Sequence, residues 1–364
     1  MESGYNRSDS GIQNIAASSD IEAVSAWLNE FCDSPRTLRA YQKETDRLLM
    51  WAKQICRSPL SGLTREDFQS YETFLATPLP SWCGPARPRN HPEWKPFVKG
   101  LSAPSIRHSL LILGSMMNWL VQAGYLATNP LALERRRNRK GKRRPIDRYL
   151  DQPTWHAVLD YLESMPDSSS KQLRQKARAT WLVQLLYLTA IRRSEAASLS
   201  TRDLSKRYDP RTGETEWWLT VTGKGETVDR IPFIPELVTA MRTYRKAYGL
   251  EEYPSPDEKT PLVIGPRGQH VSDKTIFRIV HNIFHGAADA IAARDPERAV
   301  TLRSASTHWM RHTSATHQLD NDIDLRVVQS VLRHKSIQTT TQYLHTDESH
   351  RHHQLRRLKI RSDV

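Results

Sequence analysis

Apolar residues recur at three- and four-residue intervals through most of the chain, the period of helices with one buried face. From Asp20, Ile21, Val24, Trp27, Leu28 and Phe31 keep this spacing, and Ser34-Pro35-Arg36-Thr37 opens a second helix with Leu38, Tyr41, Leu48, Leu49 and Trp51 on its apolar side. A third helix is expected to start at Thr64-Arg65-Glu66-Asp67. A fourth runs from Ser105 through Leu110, Leu111, Leu113, Met117 and Leu120 to a stop at Gly124, before Asn129-Pro130. Ahead of these, residues 1–19 are rich in Ser, Asn, Gly and Asp without apolar period, so a disordered lead is expected. Between the third and fourth helices, residues 78–96 carry proline too densely for a helix or a central strand, which predicts a long ordered loop.

A second helical region starts at Tyr149-Leu150 and Pro153-Thr154-Trp155 and continues to about Met165. The helix from Gln172 places Trp181, Leu182, Leu185, Leu186 and Leu188 in a core and delivers Ile191-Arg192-Arg193-Ser194-Glu195; Ala196, Leu199 and Leu204 continue the helical pattern. After the turn-forming Asp209-Pro210-Arg211-Thr212-Gly213, the β-branched and aromatic run 217–221 and the run 230–234 predict a two-strand ribbon with Lys224 at its Gly223-Lys224-Gly225 turn. Residues 235–248, 273–293, 308–318, 325–332 and 336–344 read as helices. The pattern predicts a mainly α fold with a small antiparallel β-sheet. It comprises a helical domain over 20–130, a linker over 131–148 and a second domain over 149–364, and no internal repeat is visible.

Composition changes this picture by pointing to a partner. With 53 Lys and Arg against 40 Asp and Glu, the formal charge of +13 favours a polyanion, nucleic acid first and an anionic membrane surface second. The linker concentrates the charge in Arg135, Arg136, Arg137, Arg139, Lys140, Lys142, Arg143 and Arg144, a block that cannot fold around an apolar face and would be drawn onto a phosphate backbone. A polybasic membrane anchor would need a neighbouring lipid or apolar signal, which is absent. The most apolar run, residues 181–191, is interrupted by Gln184 and too short to span a bilayer, and the start of the chain has no apolar signal core. Cys32, Cys56 and Cys83 are scattered, without disulfide pattern or metal-ligand spacing, which suits a reducing cytoplasm. In the loop over 78–96, interleaved Trp and Arg would either follow a DNA groove or pack on the helical bundle.

Taken singly, the candidate reactive groups have ordinary explanations. Arg192 and Glu195 share a helical face and would pair, and Lys224 between glycines reads as an exposed turn lysine. His308 and Arg311 also share a face, whereas His312 is turned by about 100° from Arg311. In the order Arg192, Lys224, His308, Arg311, His334, Tyr343, however, they resemble the catalytic set of the tyrosine recombinases, the phage-integrase family that includes the Xer resolvases. Residues 188–195, Leu-Thr-Ala-Ile-Arg-Arg-Ser-Glu, look like that family's first arginine box, and residues 308–317 like its second. Leu332-Arg333-His334 corresponds to its Leu-Gly-His element, with the tyrosine following nine positions after the histidine. Residues 124–130, Gly-Tyr-Leu-Ala-Thr-Asn-Pro, close a bundle similar to the family's core-binding domain. Ala190 and Arg333 stand where the family often has glycine.

The resemblance implies a two-domain, C-shaped DNA clamp made of a SAM-like core-binding domain and a catalytic domain. Arg192 and Arg311 would hold the phosphodiester, Tyr343 would attack it, and His308 would take the phenolic proton. Lys224 would protonate the leaving 5′ oxygen, His334 would donate to a non-bridging oxygen, and Glu195 would orient the first arginine. The product would be a 3′-phosphotyrosyl bond that reseals without ATP, metal or cofactor. Family members exchange strands through a Holliday junction, which implies four protomers on two double-stranded recombination sites and a monomer in free solution. Residues 345–359, with Leu355 and Leu358, would dock on a neighbour; the irregular histidines His345, His350, His352 and His353 do not suggest a metal. A bacterial, nucleoid-associated integrase of a mobile element is expected. A type IB topoisomerase and a non-catalytic architectural DNA binder are the alternatives, opposed by the His-x-x-Arg pair and by the complete catalytic set.

Overall fold

The computed structural model describes residues 4–8, 12–133, 148–223 and 227–344. The chain separates into two compact units, Met1–Arg139 and Lys140–Val364.

The first unit is built on α1 (Asp20–Asn29), α2 (Pro35–Trp51), α3 (Arg65–Ala76) and α4 (Ala103–Gln122). Their starts are chemically marked: Ser19 with Glu22 and Thr64 with Asp67 form reciprocal capping boxes, and Pro35 opens α2 where a missing N–H costs nothing. Trp27, Leu48, Phe68, Tyr71, Leu75, Leu113 and Met116 meet in one apolar core. Inside it lies an ion pair. Arg47 donates through Nη1 to both oxygens of Glu44 (3.1 and 3.3 Å) and through Nε and Nη2 to Pro96 O (3.1 and 2.9 Å), and Ser109 Oγ donates to Glu44 at 2.8 Å.

Two features of this unit depart from the apolar pattern. The lead, expected to be disordered, is anchored where it is described. Asn6 Oδ1 accepts from Thr128 N and Oγ1 (3.0 and 2.9 Å), Arg7 stacks 3.8 Å over Tyr125, and Asn14 N donates to Ala123 O at 2.8 Å. Gly124, at φ +72°, permits this approach, since a Cβ there would lie 2.2 Å from Ile12 O. These anchors are polar and backbone contacts, and Ile15 and Ala17, which pack on the core, are too few to show a hydrophobic period. In the loop over 78–96, Trp82 is buried against Phe74 and Phe97, and Arg87 and Arg89 pair with Glu93 and Asp46 at 2.7 Å. The loop packs on its own bundle.

The second unit runs α5 (Gln152–Ser164), α6 (Ser170–Thr189), α7 (Arg193–Ser198), β1 (Leu204–Asp209), β2 (Glu214–Thr222), β3 (Val228–Pro232), α8 (Pro235–Ala247), α9 (Asp273–Ile291), α10 (Pro296–Ser304), α11 (Thr307–Asp320), α12 (Leu325–Leu332) and α13 (Ile337–Thr340). A 3-10 turn over Thr341–Tyr343 follows. The architecture is therefore mainly α with a small antiparallel sheet. The sheet has three strands in the order β1-β2-β3 instead of two, with Leu204 opposite Leu219 and Leu219 opposite Ile231. Leu204 begins a strand instead of continuing a helix. β1 is an edge strand with no fully buried residue, so its sequence carries no alternation. Helix α10 was not expected either; only Ala299 and Leu302 are buried in it. Trp181, Leu182, Leu185, Phe233, Leu237, Ile276 and Phe284 form the core, tied by Trp181 Nε1 donating to Leu262 O at 2.6 Å.

Candidate active site

The site is assembled where three helix ends meet. Helix α6 stops at Ala190, whose φ of +49° turns the chain so that Arg192 becomes the N-cap of α7. Helix α12 stops at Arg333, with φ +52°, and its main-chain turn sends His334 toward α13. Both residues occupy the left-handed region that glycine enters freely, which is the physical reason a glycine suits these positions. Here each carries a side chain at a backbone cost of about 1 kcal/mol.

Arg311, on α11, lies between these two turns. Its Nη1 donates to Ala190 O and its Nη2 to Leu332 O, and the side chain is buried. The guanidinium is thus held by two carbonyls that the left-handed turns present. Burial, followed by the nearby charges of Arg192 and Arg333, brings its pKa down to about 10, still well above neutrality.

Arg192 is different in kind. Its side chain is 50% exposed, and its Nη1 donates to Glu195 Oε1 at 3.0 Å while its own backbone N–H binds Glu195 Oε2 at 2.7 Å. Glu195 is buried, which alone would raise its pKa. Hydrogen bonds from the Arg333 side chain and the Arg192 backbone, with the Arg333 charge, outweigh burial and hold the carboxyl below its ordinary range. Arg193 points elsewhere, donating through Nε and Nη2 to Asp273 at 2.6 and 2.9 Å and so pinning α7 to α9.

Tyr343 arrives on the 3-10 turn and is buried beside Ala190, Ala315, Val328 and Leu332. Its hydroxyl lies 2.8 Å from Nδ1 of His312. His308, expected to take the phenolic proton, is exposed, with its ring edge-on to His312 at 4.3 Å, and it is His312 that the hydroxyl meets. The reading of α11 as an isolated helix put His312 on a different face from Arg311; the tyrosine comes to that face from another part of the chain. His334 lies parallel to the Tyr343 ring at 6.2 Å and hydrogen-bonds through Nδ1 with Thr340 Oγ1 at 2.9 Å.

Burial raises the pKa of Tyr343, and the Arg311 charge only partly offsets this. The three imidazoles shift the other way. Burial first, then neighbouring cations, lowers His308, and brings His312 and His334 to about 4. All three rings are consequently neutral at pH 7, able both to accept and to donate a proton.

The structure therefore brings Arg192, Glu195, His308, Arg311, His334 and Tyr343 into one patch and adds His312 and Arg333. Lys224 lies outside the described residues, although the flanking ribbon is closed by Gly223 N donating to Thr227 O at 2.7 Å. The basic linker residues Arg135, Arg136, Arg137, Arg139, Lys140, Lys142, Arg143 and Arg144, and the tail with its histidines, also lie outside them. Among the described residues no group of three or more His, Cys, Asp or Glu is placed to hold a metal, and no helix is long and apolar enough to cross a membrane.

Residues 149–350 match the phage integrase family. Tyrosine recombinase XerC of Thermodesulfovibrio yellowstonii is 29% identical over 323 residues, covering 87% of this chain and 88% of that protein. Tyrosine recombinase XerD of Rhizobium meliloti is 25% identical over 319 residues, covering 87% and 86%. Among solved structures, the XerH site-specific recombinase bound to its difH substrate superposes with a TM-score of 0.59 at 15% identity, covering 91% of this chain and 84% of that one. The Tn1549 transposon integrase in complex with transposon right end DNA gives 0.60 at 13% identity, covering 92% and 98%. The match over most of the second unit, joined to the arginine, histidine and tyrosine patch it contains, places this chain in the phage integrase family of tyrosine recombinases, enzymes that cleave and rejoin DNA.

Proposed function

We propose that this protein is a site-specific recombinase that cuts duplex DNA through a 3′-phosphotyrosyl bond at Tyr343. The observation that carries the reading is the hydrogen bond between the Tyr343 hydroxyl and a neutral His312, beside the buried guanidinium of Arg311. Arg192 offers its exposed face to the phosphodiester and Arg311 supplies fixed positive charge behind it. Both stabilise the extra charge that gathers on the oxygens in the transition state. Tyr343 attacks phosphorus, its proton passing to Nδ1 of His312. The new bond joins the phenolic oxygen to phosphorus, the bond to the 5′ oxygen breaks, and Lys224 donates the proton that the departing oxygen requires.

A phosphate entering among these cations adds negative charge beside His312 and raises its affinity for a proton. The base is strengthened when substrate is bound and idle when it is not. In the tautomer whose Nδ1 accepts from the Thr340 hydroxyl, neutral His334 carries its proton on Nε2 and donates it to a non-bridging oxygen. His308, at the rim of the patch, makes a further bond to the phosphate. The substrate is double-stranded DNA bearing paired recombination sites, to which the basic linker adds phosphate contacts. Four protomers exchange strands through a Holliday junction, and the biological task is integration or excision of a mobile element.

The test is a nicked suicide duplex, its sequence selected for tight binding from a random pool and checked against repeats flanking the gene. Wild-type protein should give a covalent adduct on a denaturing gel, and Tyr343→Phe should bind equally well and give none. Tight binding without adduct by the wild type would leave an architectural DNA binder. Adduct with supercoil relaxation but no strand exchange would favour a topoisomerase.

A further inference from the structure

We propose that Arg333 is a positioning residue for strand cleavage, fixing Glu195 and through it Arg192; the inference rests on the function proposed above.

Arg333 ends α12 in a left-handed conformation, and its side chain turns inward, with 6% of it exposed. Its Nη2 donates to Glu195 Oε2 at 2.6 Å across 138 positions of sequence. That same carboxylate oxygen receives the backbone N–H of Arg192, while the other receives the Arg192 guanidinium. Glu195 thus joins the end of α12 to the start of α7, and Arg333 is the buried side of the joint. Without it the carboxylate would keep its desolvation and lose a charge-assisted donor, and the half-exposed Arg192 would be gripped by a looser partner.

The remaining atoms of Arg333 argue against a purely structural pair. Its Nε and Nη1 are buried and make no hydrogen bond among the described residues. Arg192, Arg311 and Arg333 together set three positive charges around the single carboxylate of Glu195. Such an excess is costly in the resting protein and is balanced when a phosphodiester enters. The side chain at this position therefore ties cation placement to phosphate binding, which a glycine in the same turn would not do.

Single-turnover cleavage of the suicide duplex by wild type, R333G, R333K, E195Q and the R333G/E195Q double variant tests this, with DNA affinity and thermal unfolding measured alongside. Glycine suits the backbone at this turn, so R333G should fold and bind DNA close to normally. Its cleavage should slow by about tenfold to a hundredfold, the size of one charged hydrogen bond in the transition state. R333K should recover part of the rate. Millimolar guanidinium should raise the rate of R333G and leave E195Q unchanged. The double variant should be no slower than the slower single one, because Arg333 acts through Glu195. Wild-type cleavage by R333G, or defects that multiply in the double variant, would overturn the inference while leaving the function intact. A wild type that binds but forms no adduct would remove the reaction itself, and this role with it.

Discussion

Each unit of the molecule buries an arginine against a glutamate, and the two pairs are finished differently. In the first unit, the Arg47 side chain is 5% exposed and its three nitrogens all find acceptors, on Glu44 and on Pro96 O. In the second, Arg333 is 6% exposed and, among the described residues, one of its nitrogens finds an acceptor. The second unit can complete such a pair elsewhere. Arg245 gives Nη1 and Nη2 to Glu258 at 2.7 and 2.8 Å and Nε to Glu251 O at 2.6 Å. Arg47 and Arg245 are therefore interior supports whose hydrogen bonds are closed. Arg333, with Arg192 and Arg311 nearby, leaves two buried donors without an acceptor among the described residues, the feature on which its proposed role rests.

The largest effect is expected at the closed pair. Arg47→Ala should strand the Glu44 charge in the core and cost about 3–5 kcal/mol, read as a lower denaturation midpoint. The protein that remains folded should cleave DNA at the normal rate per molecule. A cleavage defect larger than the loss of folded protein would mean that this pair is not merely a support. The next largest effect is expected at His312. His312→Asn should slow adduct formation by about ten- to a thousandfold, with DNA affinity within a few-fold of normal. If His308→Asn gives the larger rate defect and His312→Asn none, the phenolic proton leaves by the other ring.

Ala190→Gly should relieve the left-handed turn beneath Arg311 and stabilise the chain by about 0.5–1 kcal/mol, offset in part by greater freedom of the unfolded chain. A loss of stability would show that the Ala190 side chain, fully buried beside Tyr343, contributes more by packing than its backbone costs. A further expectation concerns pH. His312 and His334 titrate at about 4 in the folded protein and near 6.5 when unfolded, so the unfolded chain takes up protons first. Their contribution to stability is complete above about pH 6.5 and declines as pH falls toward 4. In His312→Asn the acid-side loss of melting temperature should be shallower; an unchanged slope would contradict the shift.

Which parts of this were legible in the sequence follows from what each part is made of. Helices with an apolar stripe declare themselves, and α12 occupies Leu325–Leu332, the span its periodicity gives. The edge strand β1 and the docked lead do not, because they are held by backbone pairing and by polar contacts such as Asn6 with Thr128. At the site, the order of arginine, histidine and tyrosine was readable through a family resemblance and the Arg192–Glu195 pair from its spacing, but not the contacts made between distant parts of the chain. His312 looked misdirected on its own helix because the phenol it meets is delivered by the turn at Thr341–Tyr343. Arg333 was visible as a departure from glycine, while the reason for its side chain lies at Glu195, far away in sequence.

Mass spectrometry of the covalent adduct shows whether the buried Tyr343 hydroxyl is the nucleophile. After nuclease and protease digestion of wild-type protein trapped on the suicide duplex, the account predicts a nucleotide remnant, linked through its 3′ phosphate, on the peptide that contains Tyr343. A remnant on any other residue, or an adduct of normal yield from Tyr343→Phe, would contradict it.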